Sequence, residues 1–327
     1  MIPPFVNRNK ELRKLFQLAE KGHYPVLYVY GPEGCGKTRL LKEFISIIKN
    51  KEDYIAIYVD AQVMKGELID VIFANTNVFK LIKMIAEPLI EYPLGKSISL
   101  AIPYIMRKVC EKIMIRGKHL VIAVDDVAVP LGLNIIEVYA KKLLDTLEYL
   151  TSKNAESVLI VATTSEGFSR SLLLRHNYVS VEALWNLSQN ACIELAKKLS
   201  APPHLYEDVW RWTGGNPRRL IELSKRSWKI EEWLMMSIKR KLGEFLQNIS
   251  KNEKEYLRKI INDIDEVMEH RNLLIKMLNF NLITPIDRPC MGYTPQVSRE
   301  LGIGEYYAWQ IPAYRILLKS MLNLNRV

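Results

Sequence analysis

Cysteine and histidine are scarce in this sequence, and their spacing excludes several kinds of site. The four cysteines, Cys35, Cys110, Cys192 and Cys290, lie far apart, without the paired spacing that zinc sites and disulfide frameworks require. The five histidines share no local spacing that indicates a metal site or a nucleophile. We therefore expect a protein of a reducing compartment whose chemistry depends on other side chains.

Long apolar runs are also missing. No stretch approaches the roughly 20 apolar residues that span a bilayer. The start of the chain, Met1 to Phe5, lacks the charged leader and apolar stretch of a targeting segment. We found no internal repeat and no low-complexity segment. These absences predict a cytoplasmic protein without a membrane partner.

The composition is that of a folded chain with several domains. Its 327 residues suit two or three domains, and 49% apolar with 25% charged residues is close to the globular average. The net charge of +10 would suit an anionic partner, but the basic excess is spread over the chain. Its densest stretch, Arg218 to Lys241, is typical of a solvated helix face as well as of an anion-binding surface.

Apolar strand-like runs alternate with helical segments in the first half of the chain. This alternation predicts an α/β fold with a parallel five-stranded sheet covered by helices on both faces. The predicted strands are Tyr24 to Tyr30, Tyr54 to Asp60, Leu120 to Asp125, Val158 to Thr164 and Val179 to Val181, and the clearest helices are Arg39 to Lys49 and Ile135 to Leu150.

The second half of the chain is predicted to be mainly helical. Helices at 189–199, at 205–213 and from Pro217 form a helical lid, and helices at 232–248, 253–261 and 266–280 follow. Short strands at 282–285 and 306–311 then resemble the ribbon of a winged helix, although a small α/β cap would show the same pattern. The predicted domains are 1–184, 185–230 and 231–327.

A phosphate-binding loop follows the first strand. Gly31, Pro32, Glu33, Gly34, Cys35, Gly36, Lys37 and Thr38 fit G-x-x-x-x-G-K-[ST], and Arg39 continues into a helix. The glycines let backbone N–H groups turn toward phosphates, the helix offers its positive end, and Lys37 neutralises the β- and γ-phosphates. Thr38 supplies a hydroxyl for Mg²⁺. We therefore predict ATP and Mg²⁺ as ligands, with Arg39 beside them.

Two consecutive carboxylates end the apolar run Leu120 to Asp126. Asp125 would support Mg²⁺ through its water shell, and Asp126 would polarise the attacking water. The same pair could instead cap the next helix. Asp126 is the weaker assignment, because a glutamate reaches the water better.

Further candidates follow the next strand. Its end carries Thr163-Thr164-Ser165, from which we select Thr164 as a partner of the γ-phosphate or the attacking water, although any of the three could be ordinary turn hydroxyls. Arg170 and Arg175 could stabilise the charge that grows on the γ-phosphate, within one subunit or across an interface. Each arginine could equally form a surface salt bridge.

Together these motifs resemble the archaeal ATPase branch of the AAA+ and STAND-type P-loop ATPases, which has an origin-recognition-like architecture. Residues 5–12, Phe-Val-Asn-Arg-Asn-Lys-Glu-Leu, are similar to its opening motif, and Gly214-Gly215-Asn216-Pro217-Arg218 to its lid motif. The resemblance covers about residues 5–225. It implies that Arg218 contacts the phosphates, with Arg219 as an adjacent rival, and that a winged helix follows. Asp126 in place of glutamate puts fast turnover in doubt.

The leading hypothesis is an ATP-driven switch or motor, for which duplex DNA is the natural partner if the C-terminal domain is a winged helix. The candidate recognition helix of the winged-helix-like domain is Glu266 to Phe280. Its only polar contacts would be His270, Arg271, Asn272 and Lys276, and these are few for a helix that reads the major groove. The alternative is a slow ATP-timed regulator that binds a protein partner. A small-molecule kinase is a third option, which the lid motif and the long C-terminal region disfavour. Oligomerisation stays open.

Overall fold

A computed structural model describes residues 3–60, 72–74, 76–91, 102–113, 115–126, 133–164, 173–175 and 177–322. The chain divides into two compact units. The sheet unit comprises Asn9–Tyr30 and Lys37–Glu182, and the C-terminal unit comprises Met1–Arg8, Gly31–Gly36 and Ala183–Val327. The division into three domains at residues 184 and 230 stays a prediction.

All five predicted strands are present, together with one that the sequence pattern missed. The strands are β1 (Val26–Tyr30), β2 (Tyr54–Asp60), β3 (Ile72–Ala74), β4 (His119–Asp125), β5 (Ser157–Thr163) and β6 (Val179–Ala183). They form one sheet in the order β3-β2-β4-β5-β1-β6. The additional strand, β3, is only three residues long and pairs antiparallel with β2 at the edge. The α/β fold with a five-stranded parallel sheet is confirmed.

Parallel pairing brings the carboxyl ends of the central strands to one edge of the sheet. β2 pairs with β4 up to Asp60 and Asp125, and β4 pairs with β5. β5 also pairs with β1, where Val29 lies opposite Thr163. The central strands are buried almost throughout, as expected for a parallel sheet covered on both faces.

The helices of the sheet unit cover both faces of the sheet. Alternate strand residues such as Tyr28, Ile57 and Ile122 form one core with apolar side chains of the helices α3 (Thr76–Glu91), α4 (Ile102–Lys112) and α5 (Leu133–Thr151). The helices α1 (Asn9–Lys21) and α2 (Lys37–Ile48) also contact the central strands. The alternation of the strand side chains gives each set of helices its own apolar face.

The C-terminal unit is mainly helical, as predicted. Its α-helices are α6 (Gln189–Lys198), α7 (Tyr206–Thr213), α8 (Pro217–Ser224), α9 (Ile230–Trp233), α10 (Arg240–Gln247), α11 (Lys251–Asn262), α12 (Arg271–Asn279) and α13 (Pro312–Met321). A π-helical segment, Leu234–Lys239, joins α9 to α10, and 3-10 turns occupy Pro203–Leu205 and Ile264–Glu269.

The lid motif forms the helix boundary that its residues predict. Gly214 ends α7 in the left-handed conformation, with φ of 56°. The side-chain oxygen of Asn216 then accepts a hydrogen bond from the backbone N–H of Arg219, and Pro217 is the first residue of α8. The predicted start of a helix at Pro217 is therefore confirmed.

The tryptophans of the second half pack into the C-terminal unit. Trp228 and Trp233 are buried in its main core, Trp210 and Trp212 pack against that core, and Val6 from the N-terminal segment joins it. These side chains therefore serve packing. The buried apolar face of α11 extends the same core, and a capping box at Ser250 begins that helix.

One predicted helix is wrong in its extent. The segment from Glu266 to Phe280 is not a single helix, because the 3-10 turn Ile264–Glu269 ends before α12 begins at Arg271. Between them His270 has φ of −129° and ψ of 70°, which no helix accommodates. The two predicted C-terminal strands are present as β7 (Ile283–Pro285) and β8 (Tyr307–Trp309), an antiparallel pair that we call the ribbon.

Three further observations concern the part of the chain that the structure describes. None of its helices combines the length and the apolar character needed to cross a bilayer. Among the same residues, no three histidine, cysteine or carboxylate side chains cluster as metal ligands. The four cysteines form no disulfide bond.

Candidate nucleotide-binding site

The backbone of the loop Gly31–Gly36 has the shape of an anion cradle. Gly34 and Gly36 have φ of 82° and 105°, a region that side chains with a Cβ rarely adopt. A Cβ on Gly34 would lie 2.5 Å from the Cβ of Arg218, whereas a Cβ on Gly36 would meet no atom within 4 Å. Successive N–H groups in this conformation form a concave nest for phosphate oxygens. The loop therefore fits a nucleotide.

The residues that follow the loop begin α2. Lys37 is its first residue and is 8% exposed, whereas Thr38 and Arg39 are exposed. The first N–H groups of an α-helix have no partner within the helix, and the helix dipole favours an anion there. Lys37 adds a full positive charge at the same point, and the exposed hydroxyl of Thr38 remains accessible to a metal ion.

Asp125 is held in position by hydroxyl groups from both neighbouring strands. It is 2% exposed at the end of β4. Its Oδ2 accepts a hydrogen bond of 2.8 Å from the hydroxyl of Tyr58 on β2, and its Oδ1 accepts one from the hydroxyl of Thr163 on β5. Burial and the nearby Asp125 carboxylate raise the pKa of Tyr58, which keeps the phenol protonated as a donor.

Asp126 lies beside this group through its backbone. It has φ of 53°, and its N–H donates a hydrogen bond of 2.9 Å to the hydroxyl oxygen of Thr163. The hydroxyl of Thr163 thus donates to Asp125 and accepts from Asp126. The structure therefore brings both carboxylate residues together at the carboxyl end of β4, as the sequence predicts.

Thr163, the neighbour of the Thr164 selected from the sequence, contacts both Asp125 and Asp126. Thr164 is 1% exposed, and its backbone N–H donates to the carbonyl of Val29 on β1, which ties the end of β5 to the strand that leads into the loop. A role of Thr164 toward phosphate or water stays a prediction. Arg175 is exposed, and Ser165 and Arg170 lie outside the described residues.

Within the C-terminal unit, Arg218 contacts the loop and Arg219 does not. Arg218 donates from Nη1 to Oε1 of Glu33 at 2.5 Å, and its backbone N–H donates to the carbonyl of Gly34 at 3.3 Å. Arg219 instead binds both carboxylate oxygens of Glu222 and the hydroxyl of Tyr314. The geometry thus favours Arg218 over its neighbour as the lid arginine.

Other basic residues of the stretch 218–241 also form ion pairs inside the C-terminal unit. Arg226 and Lys229 pair with Glu232, and Arg240 pairs with Glu244 one turn further along α10. Lys241 lies 3.8 Å from Oε2 of Glu33 and also donates to the hydroxyl of Tyr314. At these positions the basic side chains are therefore paired with carboxylates and do not form an open anion-binding surface.

A buried arginine also holds the loop. Arg8, from the opening motif, is 4% exposed and donates from Nη2 to the carbonyls of Cys35 and Trp185, each at 2.8 Å. Sequence reasoning assigned it no separate role. It also missed Tyr58 and Gln310. The side chain of Gln310 accepts a hydrogen bond of 2.9 Å from the backbone N–H of Glu33. Strand pairing could have identified Tyr58, but no local pattern indicates Gln310.

We expect Glu33→Gln to tighten ATP binding by about two- to fivefold. The substitution removes a negative charge from a loop that must hold a polyphosphate, and it releases Arg218 from its ion pair. The effect is modest, because side chains that are 53% and 29% exposed interact through solvent. Titration of a fluorescent ATP analogue measures it. Glu244→Gln, which removes a carboxylate of the exposed pair with Arg240, is the matched control. Weaker binding by Glu33→Gln would contradict this expectation.

Comparison with known proteins agrees with this site. Residues 5–223 match the family model of an ATPase domain found predominantly in Archaea. An uncharacterised ATP-binding protein of Pyrococcus abyssi is 25% identical over an alignment 323 positions long. The aligned part covers 87% of this chain and 94% of that protein. A second, from Pyrococcus horikoshii, is 24% identical, with 85% and 92% of the two chains covered.

Among solved structures, Cdc6p from Pyrobaculum aerophilum aligns over 99% of this chain and 96% of its own, with 14% identity and a TM-score of 0.42. The family match includes the phosphate-binding loop, Asp125 and the lid motif, and it covers most of the chain. The protein therefore belongs to this family of archaeal ATPase domains and binds ATP.

Proposed function

We propose that the protein binds ATP together with Mg²⁺, hydrolyses it slowly and acts as a nucleotide-operated switch. The observation that carries this proposal is the arrangement at the end of β4, where Thr163 links Asp125 to the backbone of Asp126. A buried carboxylate whose orientation is fixed by two hydroxyl donors is suited to electrostatic work on a metal-bound triphosphate.

Each predicted residue takes a specific role in this proposal. Lys37 and the loop N–H groups bind the β- and γ-phosphates, and Thr38 and Asp125 would hold Mg²⁺, with Asp125 acting through water. The bound Mg²⁺ would neutralise charge on the phosphate oxygens. Asp126 accepts a proton as water attacks the γ-phosphorus and the bond to the β–γ bridging oxygen breaks, leaving ADP and phosphate. Arg39 lies beside the phosphates at the start of α2.

Arg218 and Arg175 would act on the γ-phosphate from outside the loop. Arg218 must exchange its ion pair with Glu33 for the phosphate, so the lid residues can distinguish the ATP state from the ADP state. Arg175 is exposed on the sheet unit. If it completes the site of a neighbouring subunit, turnover per subunit will rise with protein concentration, and if it acts in its own subunit, turnover will not.

For the partner, the geometry disfavours duplex DNA, and we therefore propose the alternative, a protein. Two of the polar side chains in and just before the candidate recognition helix α12 already have partners. The ring centroids of His270 and Tyr256 are 3.5 Å apart, and Lys276 is paired with Glu253 at 2.8 Å. Only Arg271 and Asn272 remain exposed among its predicted base contacts. A DNA-binding wing is usually basic, but the loop of the ribbon, residues 286–306, carries three carboxylates and two arginines.

We expect ATP turnover to be slow, dependent on Mg²⁺ and unchanged by duplex DNA. The measurement is phosphate release by the purified protein at about 50 mM salt, with and without duplex. If the protein contacts several DNA phosphates, its affinity for the duplex will be lower at 200 mM salt than at 50 mM salt by a factor of at least about ten. Stimulation that salt abolishes would therefore overturn the protein-partner reading and support a DNA-directed motor. An Arg271→Ala, Asn272→Ala variant would then identify α12 as the contact.

A further inference from the structure

Two buried amide side chains hold the backbone of Glu33 in the phosphate-binding loop. The N–H of Glu33 donates to Oε1 of Gln310 at 2.9 Å, and its carbonyl accepts from Nδ2 of Asn216 at 2.9 Å. Gln310 is 3% exposed and Asn216 is fully buried. One loop residue thus has both backbone polar groups satisfied by side chains that are distant in sequence.

A third amide closes these contacts into a ring. Asn186 donates from Nδ2 to the carbonyl of Gln310 and accepts on Oδ1 from Asn216, both at 2.9 Å. Gln310 is itself fixed, because its Nε2 donates to the carbonyl of Ile283 on β7 at 3.3 Å. We call Asn186, Asn216 and Gln310 the amide ring. Its members donate and accept with defined geometry, so rotating any one of them would leave buried polar groups without partners.

Regular secondary structure does not hold the backbone at Glu33. Glu33 precedes Gly34, whose positive φ leaves the backbone outside regular secondary structure. A glycine-rich segment loses much conformational entropy when it is ordered. The hydrogen bonds of Glu33 with Gln310 and Asn216 order this part of the loop before ATP binds. Less conformational entropy is therefore lost on binding, and the affinity is higher without additional contacts to the ligand.

We propose that Gln310 is a positioning residue for the phosphate-binding loop, and that it makes nucleotide affinity sensitive to the C-terminal ribbon. Gln310 directly follows β8, in which Trp309 pairs with Ile283 of β7. A partner that shifts the ribbon would therefore shift the acceptor of the Glu33 N–H. The inference rests on ATP binding by the family and not on hydrolysis, so the two can fail separately.

The test begins with Gln310→Leu, which removes the acceptor while nearly preserving side-chain volume. We expect the Kd for ATP, measured by calorimetric titration, to rise roughly tenfold, because a loop N–H loses its partner. Hydrogen exchange of the nucleotide-free variant should accelerate in peptides covering residues 31–38. Gln247→Leu makes the same change at an exposed position at the end of α10 and should alter neither quantity.

A second variant separates positioning from general packing. Asn216→Ser keeps a side-chain acceptor for the cap of α8 but removes the amide donors to Glu33 and Asn186. It should weaken ATP binding as well, and the double variant should lose less than the sum, because both changes release one residue. This variant also decides the matter if Gln310→Leu does not fold.

Two results would overturn the proposal. One is an unchanged Kd with unchanged exchange in the loop. The other is faster exchange throughout the C-terminal unit with no excess in residues 31–38, which would make the amide ring a packing feature only. A tenfold loss of affinity in a protein that never turns over ATP would uphold the role of Gln310 while removing hydrolysis from the proposed function.

Discussion

Lys37→Ala will abolish ATP turnover and weaken ATP binding by about 30-fold or more. Lys37 is buried as the first residue of α2, directly after the glycine cradle. Its ammonium group is expected to meet the β- and γ-phosphates where little water screens the charge. Losing a charge-assisted partner from such a site typically costs about 2 to 5 kcal/mol. Calorimetric titration gives the affinity, and phosphate release gives the turnover.

A matched lysine tests whether the effect is specific. Lys21 is exposed in the last turn of α1, and Lys21→Ala removes the same charge from another helix of the sheet unit. We expect this control to bind and hydrolyse ATP normally. Both variants should be folded at the assay temperature without nucleotide, so that a loss of activity can be assigned to the ligand. Turnover by Lys37→Ala within a few-fold of the wild type would refute a phosphate-binding role for this loop.

Asp125→Asn will reduce turnover by about 100-fold or more and will raise the Mg²⁺ concentration needed for half-maximal activity. The substitution keeps the size of the side chain but removes the charge that supports the metal and its water shell. A 100-fold loss corresponds to about 2.7 kcal/mol of transition-state stabilisation. ATP binding in the presence of EDTA should change much less, because the loop and Lys37 remain.

The orientation of Asp125 makes this a demanding substitution. Tyr58 and Thr163 both donate to its carboxylate, so an amide would place an N–H group against one of the two hydroxyls. Asp53→Asn, at a side chain that is 79% exposed before β2, is the matched control and should be silent. Equal activity and equal Mg²⁺ dependence in Asp125→Asn would assign Asp125 to structure alone.

The sequence predicted the sheet and the loop because both depend on local pattern. Runs such as Val26–Tyr30 are apolar throughout, which indicates parallel strands buried on two faces. The loop motif fixes its own conformation through glycine, and Asp125 follows from the end of an apolar strand. Pairing of β4 with β2 and β5 then explains why Tyr58 and Thr163 reach it, although only the known strand order reveals this.

Contacts between distant segments could not be predicted. Gln310 lies 277 positions after Glu33, and nothing near either residue indicates the hydrogen bond between them. The break at His270 was missed because apolar periodicity continues across it, while Asp263 caps a separate 3-10 turn. β3 escaped detection because three residues are too few to establish a period. The roles of Asp126, Thr164, Arg175 and Arg218 stay predictions.

The order of strands in the sheet also determines when the phosphate loop can form during synthesis. β1 precedes the loop directly, yet its neighbours are β5 and β6, and Leu27 pairs with Val161, 134 positions later. Pairing at such separation is slow, because a long stretch of chain must be ordered first. Any nascent chain that ends before residue 157 leaves β1 without a strand beside it. The first strand to leave the ribosome is thus among the last to be fixed, and ATP can act as a ligand only after most of the sheet exists.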